Sequence, residues 1–199
     1  MAGGFTSVDL SQLPAPSVVE VVDFEVIFAE MLANLRQLDP AFDALVESDP
    51  IFKLLQVCAY REARLRERIN TSALDTMLAY ARGSNLDHLG ALVDVGRLLL
   101  DSGDPDRGIR PSWESDTDFR RRIQLAAEGF STAGPEGAYI FHALGADADV
   151  LDASATSPSP GEVVVSVLSR SGDGTASADL INKVSAALSA DSVRPLTDH

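Results

Sequence analysis

The stretch SDPIFKLLQVCAYREARLRERINTSALDTMLAYARG, residues 48–83, decides the fold. Ser48-Asp49-Pro50 sets a capping side chain before a proline in the first helical turn, a strong start signal. No residue breaks the helical pattern until Gly83. The spacing predicts one continuous helix over 51–81, about 46 Å long at 1.5 Å per residue, where the usual helix has about 11–12 residues. Winding it at about 100° per residue puts Ile51, Leu55, Cys58, Leu65, Ile69, Ala73 and Tyr80 on one stripe, with Glu62 in the middle. Arg61, Arg64 and Arg68 line a separate face, and Glu62 and Arg66 stand at the favourable i, i+4 spacing. An unpaired carboxylate in an apolar stripe is costly to bury. Two readings stay open: Glu62 pairs with an arginine of its own chain, or the stripe faces other chains in a bundle and Glu62 fixes its register. Cys58, on the stripe, reads as a buried inert thiol rather than a nucleophile.

Outward toward the N-terminus, residues 1–22 read as an extended arm. Leu13-Pro14-Ala15-Pro16 sets a polyproline-like path and removes two backbone donors. Asp23 caps a first helix over 24–38, with Phe24, Ile27, Phe28, Met31, Leu32 and Leu35 in helical register. Pro40 stops it. On the other side of Gly83-Ser84, a third helix over 85–96 turns Leu86, Leu89, Leu92 and Val93 inward. Together these make a helical region over 23–100. Asp101 to Gly108 is a loop by its turn residues, and 101–112 is the linker.

Residues 113–199 change character. Ser115 caps a fourth helix ended by Gly129, with Asp118 completing a capping-box-like start. Asp116 and Arg120, and Asp118 and Arg122, are i, i+4 pairs. Ala133-Gly134-Pro135 opens a fifth helix carrying Ala138, Ile140, Phe141 and Leu144, stopped at Gly145. Strands over 150–156 and 163–168 flank a turn at 157–161. A loop over 169–174 leads into a helix over 178–188, with Leu180, Ile181, Val184 and Leu188 inward. Val193 to His199 looks like the approach to a further strand. The fold class is α+β: an N-terminal helical region with one long helix, then a smaller mixed α/β domain of order α-α-β-β-α, its last strands missing.

Composition narrows the function. The 199 residues hold 16 basic and 30 acidic side chains for a net charge of −14, which argues against nucleic acid or an anionic membrane as partner. The charge is uneven: −8 over residues 1–50, +3 over 51–82 and −9 over 83–199. All but two of the basic residues, Lys53 and Lys183, are arginine. Arginine suits desolvated ion pairs and interfaces, and GC-rich coding gives the same enrichment. An arginine-bearing helix between two acidic regions suits packing among acidic partners at moderate salt. A single cysteine makes no internal disulfide, no apolar run reaches the roughly 20 residues that span a bilayer, and the N-terminus lacks a secretory pattern. The expected medium is cytoplasm-like.

No catalytic, cofactor or metal constellation stands out. His88, His142 and His199 are far apart, without cysteine or histidine at ligand spacing. Asp101, Asp104 and Asp106 share a loop but not the EF-hand spacing, so they read as a solvated acidic loop. Gly172-Asp173-Gly174 lacks the third glycine and the Lys-Ser/Thr pair of a phosphate loop and reads as a turn. Arg120-Arg121-Arg122 spreads around its helix, forming a salt-bridged face rather than an anion site.

Six strings in chain order carry a family resemblance. They are Asp9-Leu-Ser-Gln-Leu-Pro-Ala-Pro16, Glu47-Ser-Asp-Pro50 with Ala59-Tyr-Arg-Glu62, Met77-Leu-Ala-Tyr-Ala81, Glu114-Ser-Asp-Thr-Asp-Phe-Arg-Arg-Arg-Ile123, Gly134-Pro-Glu-Gly-Ala-Tyr139 and Asp152-Ala-Ser-Ala-Thr-Ser-Pro-Ser-Pro160. Together they resemble the baseplate assembly protein J family of contractile phage tails, with relatives in pyocins and other contractile injection systems. The resemblance implies a non-catalytic component of the baseplate wedge, assembled in the host cytoplasm and ending up in the virion tail. It implies a bundle of the N-terminal helices with a second copy and a tail protein I-like chain. It also implies an α/β part that helps form the ring around the hub, next to other baseplate and sheath proteins, and a chain that continues beyond the point matching His199. Interface candidates on the bundle helix are Ile51, Leu55, Cys58, Glu62, Leu65, Ile69, Arg61, Arg64 and Arg68. The competing expectations are a soluble helical adaptor of another assembly, docking one partner helix on the Arg61–Arg68 face, and a metal-dependent enzyme using carboxylates such as Asp101 or Asp173.

Overall fold

A computed structural model describes residues 8–14, 16–131, 135–190 and 193. The expectations for Ala15, for the Ala133-Gly134 helix start and for the strand approach after Val193 lie outside the described residues. The chain forms an α+β fold in two compact units, residues 11–81 and residues 1–10 with 82–199.

The first unit is built on two helices. Asp23 caps α1 (Phe24–Leu38), its carboxylate accepting from the Glu25 and Val26 N–H groups at 2.8 and 3.3 Å. Glu25 in the first turn and Arg36 in the last complement the helix dipole. Asp39 caps a short 3₁₀ turn, Pro40–Phe42, and α2 follows as Pro50–Asp75, 26 residues. Asp49 turns its carboxylate back to the Val46 N–H at 2.9 Å, so Pro50 alone marks the start. Ala59 and Ala63 are the buried residues of α2, meeting Ile27, Val22, Phe24, Phe28 and Met31. Their short side chains let the helices approach closely, and Phe52 meets Phe28 edge-on at 4.9 Å. Asn70 pins the incoming strap: its amide donates to the Glu20 carbonyl at 2.7 Å and accepts from the Glu20 N–H at 3.0 Å.

The long helix stops six residues before the expected end at 81. Thr71 and Thr76 turn their hydroxyls onto the Glu67 and Ala73 carbonyls at 2.9 and 2.8 Å, a local alternative to the helical ladder. Tight turns carry 76–81, with Tyr80 N–H bonded to Met77. Tyr80 therefore leaves the helical stripe.

The second unit holds α3 (Gly83–Ala91), β1 (Leu99–Asp101), β2 (Ser112–Trp113), α4 (Asp116–Gly129), α5 (Glu136–Ala146), β3 (Val150–Ser159), β4 (Glu162–Ser169) and α6 (Ala178–Leu188). The last five follow the expected α-α-β-β-α order. β1 pairs with β2, and β3 with β4, as two separate antiparallel pairs. The core joins α4, α5, α6 and β3 through Leu125, Ile140, Ala143, Leu144, Val150, Ala153, Ala155, Leu180 and Val184. Ser115 caps α4 and Ser177 caps α6, as local capping chemistry requires.

Three boundaries move. α3 ends at Ala91 rather than 96, because Asp94 takes a left-handed φ of 57° and Val95 N–H folds back to the Gly90 carbonyl at 3.0 Å. Leu92, expected inward, is exposed as a result. Residues 101–108 are not an open loop: Asp104 caps a 3₁₀ turn, bridges to Ile109, and sits between the paired strands β1 and β2. The turn expected at 157–161 shrinks to Pro160-Gly161, since β3 runs through Pro158 at a register irregularity between Thr156 and Ser159. Such an irregularity is where a strand tolerates proline.

Candidate interface on the second helix

With Ala59 and Ala63 turned toward α1, the stripe read from sequence lies beside that contact rather than in it. Leu55 is half-buried, while Ile51, Cys58, Leu65 and Ile69 are exposed, Leu65 at 60% and Ile69 at 61%. Cys58 is thus an exposed free thiol, not a buried one. The contact with α1 runs through Phe52, Ala59 and Ala63, one seam over from the expected stripe.

Glu62 is paired within its own helix, accepting from Arg66 Nε at 3.0 Å and again from its Nη2. Its side chain is about one-third exposed, and Arg66 also reaches Glu20 at 3.7 Å. Arg61, Arg64 and Arg68 are exposed one ridge further from α1. Arg64 donates to the Tyr60 hydroxyl at 3.2 Å. Leu54 and Val57 are exposed on the same side. Sequence reading missed these two, because only the position of α1 tells which of the helix's apolar residues are already spent. One continuous surface therefore carries apolar side chains, a central paired carboxylate and a cationic edge. It offers packing and charge, with no acid–base or nucleophile–base pair.

The second unit's polar cluster is structural in form. Glu114 is buried, and one carboxylate oxygen accepts from Arg122 and from the Leu98 N–H at 3.0 Å. Arg97 donates to Asp87 and Asp116 at 2.7 Å each and to the Glu114 carbonyl at 2.9 Å, with its guanidinium 4.6 Å from the Phe119 ring. Burial alone would raise the Asp116 carboxyl, but the Gly83 N–H and Arg97 outweigh it and hold it below the usual range. The expected pairs within α4 are re-partnered. Asp116 goes to Arg97, Asp118 to Arg170 at 2.8 Å, and Arg122 to Glu114, while Arg120 bonds the Asp116 carbonyl at 3.3 Å. Arg121 reaches Asp152 at 2.7 Å, so the arginine triplet points three ways.

The other candidates resolve as local structure. Asp104 caps its own 3₁₀ turn, and Asp101 accepts from the Gly103 N–H at 2.8 Å. Among the described residues no group of three or more His, Cys, Asp or Glu side chains is placed to hold a metal ion. Gly172 and Gly174 take positive φ around Asp173, which accepts from the Thr175 N–H at 3.0 Å, a turn rather than a phosphate cradle. An open groove of about 590 Å³ between β4 and α6 is lined by Tyr139, Val163, Val165, Ile181 and Leu188 among others. No described helix is long and apolar enough to cross a membrane.

Comparison with known proteins places this surface in context. Residues 47–104, which contain α2 and its exposed face, match the Baseplate J-like N-terminal domain. Residues 131–199 match the Baseplate J-like central domain. The chain is 48% identical over 201 residues to baseplate protein J of Escherichia phage P2, a match covering 96% of this chain and 66% of that relative. The chain thus spans just under two thirds of the relative's length.

Proposed function

The chain belongs to the baseplate J-like family, and from that premise we propose that it is a structural component of a contractile-tail baseplate wedge. The reading rests on the ordered match of both family domains to one chain, together with 48% identity to a phage baseplate protein. In this reading the protein is assembled in the host cytoplasm, resides in the tail baseplate of the particle and performs no catalysis.

The division of labour follows the chain. The arm at 1–22 and the helical region at 23–100 belong to the wedge bundle, where α2 meets a second copy and a tail protein I-like chain. The linker at 101–112 leads to the part from 113 onward, which helps build the ring around the hub, beside other baseplate, hub and sheath proteins. The bundle assignment draws on the exposed apolar residues of α2, which α1 leaves uncovered. Ile51, Leu55, Cys58, Leu65 and Ile69 are the proposed packing positions, Glu62 the register position, and Arg61, Arg64 and Arg68 the charged edge.

The test is co-expression with the neighbouring tail proteins, followed by mass analysis of what co-purifies. A stoichiometric complex containing wedge chains supports the reading. A persistent monomer that retains no tail protein refutes it.

A further inference from the structure

Resting on the bundle reading above, we infer that residues 11–81 open and close as a folding unit of their own in the free chain, and that bundle assembly is the step that closes them. Among the described residues of 11–81 the buried apolar side chains are Ile27, Ala59, Ala63 and Ala81. Of these, Ile27 alone is larger than alanine. Val22, Phe24, Phe28 and Met31 pack against the Ile27 cluster but stay partly exposed. Val21, Val26, Leu38, Leu54, Leu65 and Ile69 are each more than half exposed. Hydrophobic stabilisation grows with the apolar area removed from water, and this unit leaves much of its apolar area wet.

The second unit is built otherwise. Leu125, Ile140, Leu144, Val150, Leu180 and Val184 share one buried cluster, and Leu86 and Phe119 are wholly buried as well. Its Glu114–Arg122 pair is shut off from solvent, whereas in the first unit Arg66 meets Glu62 and Glu20 at the surface. Most of a helix's stability in a protein comes from tertiary packing of its apolar face. The pairing of α1 with α2 centres on Phe28, Phe52, Ala59 and Ala63, and beyond it Asn70 ties α2 to the strap at Glu20. Cooperative units of one chain open with free energies from near zero up to the global value, lowest where buried apolar contacts are fewest. By that rule α1 and α2 open first, while α4, α5 and α6 stay closed on their own core. Chains that cover Leu54, Leu65 and Ile69 supply the burial that α1 does not, and binding only the closed form shifts the equilibrium toward it. Closing of the first unit and joining of the bundle are then one event, and the second unit is folded before it.

Amide hydrogen exchange read by mass spectrometry tests this on the full chain, first alone and then in the complex with co-expressed wedge proteins. In the free chain the most protected amides of α1 and α2 are expected to exchange at least about a hundredfold faster than those of α4, α5 and α6. In the complex the amides of α1 and α2 are expected to slow by at least about tenfold, with those of α4, α5 and α6 unchanged. Ile27→Ala in the free chain is expected to speed exchange in α1 and α2 by at least about tenfold and to leave α4, α5 and α6 as they were. Equal protection of the two units in the free chain overturns the inference. So does an Ile27→Ala variant that speeds exchange in both units alike, since the chain then opens as one cooperative whole. A complex in which α1 and α2 exchange as fast as in the free chain removes the coupling to assembly. Failure of co-purification removes the bundle reading beneath it, while the free-chain comparison still decides whether the first unit opens alone.

Discussion

Glu114 and Arg122 form an ion pair closed off from solvent, the Glu114 side chain being 0% exposed and that of Arg122 10%. Glu114 Oε2 and Arg122 Nε are buried with no hydrogen-bond partner among the described residues, so each charge depends on the other. Removing one side strands the other, which costs about 3–5 kcal/mol for a buried pair. Glu114→Ala and Arg122→Ala are each expected to lower stability by that amount in urea unfolding. The double variant is expected to lose less than the sum of the singles, by at least about 1 kcal/mol. Fully additive losses would show that the two side chains are not coupled.

Gly90 lies where α3 leaves no room for a side chain against the next helix. A Cβ there would lie 2.5 Å from the Phe119 ring and 2.6 Å from the Val95 carbonyl oxygen. The ring is itself wholly buried under Arg97, and the carbonyl belongs to the turn that ends α3, so neither can step aside. Gly90→Ala is expected to cost about 1–3 kcal/mol, the range of an overpacked core. Gly96→Ala is the control, because a Cβ there meets nothing within 4 Å. Equal melting temperatures for the two variants would contradict the packing argument.

The elements that were legible in the sequence are those whose signals are local. Asp23, Ser115 and Ser177 each bond N–H groups within three residues, so the starts of α1, α4 and α6 follow from short windows. α6 runs over 178–188 as its spacing requires. What periodicity alone does not reveal is which of several apolar stripes a neighbour covers. Ile51 through Ile69 and Phe52 through Ala63 are both plausible faces of α2, and only the position of α1 selects the second. Long-range charge pairing is equally hidden: Arg122 has Asp118 four residues before it, yet bonds Glu114 because that carboxylate is buried beside it. The candidate interface was readable as a stripe with a cationic edge, but Leu54 and Val57 were not.

His142 gives the fold an acid-sensitive contribution. Burial disfavours the imidazolium and pushes the His142 pKa below its ordinary 6.5, with the Gly129 carbonyl opposing. The unfolded chain therefore takes up this proton at higher pH than the folded one. The stability contributed is complete above about pH 6.5 and is lost as pH falls through that value toward the folded pKa. Between about pH 7 and about pH 5, the melting temperature of the wild type is expected to fall more steeply than that of His142→Gln. Parallel curves would show that His142 carries no such linkage.

Glu62 offers a test of the proposed bundle that is separable from the stability of the single chain. In the single chain it forms an i, i+4 pair with Arg66, both side chains more than a third exposed, and such pairs contribute about 0.3–0.5 kcal/mol. Glu62→Ala and Leu65→Ser are therefore expected to leave the monomer's unfolding free energy within about 0.5 kcal/mol of wild type. In a bundle the same side chains are desolvated, and losing a register-setting carboxylate or an apolar seam residue weakens association far more. Ile27→Ala should do the reverse. Its side chain is 3% exposed against Ala59 and Ala63, so it is expected to cost the monomer about 2–5 kcal/mol. Native mass spectrometry of co-expressed wedge proteins, set beside thermal melts of each variant alone, reads both quantities. If Glu62→Ala assembles as well as wild type, the exposed seam of α2 is a solvated surface and the register role is wrong.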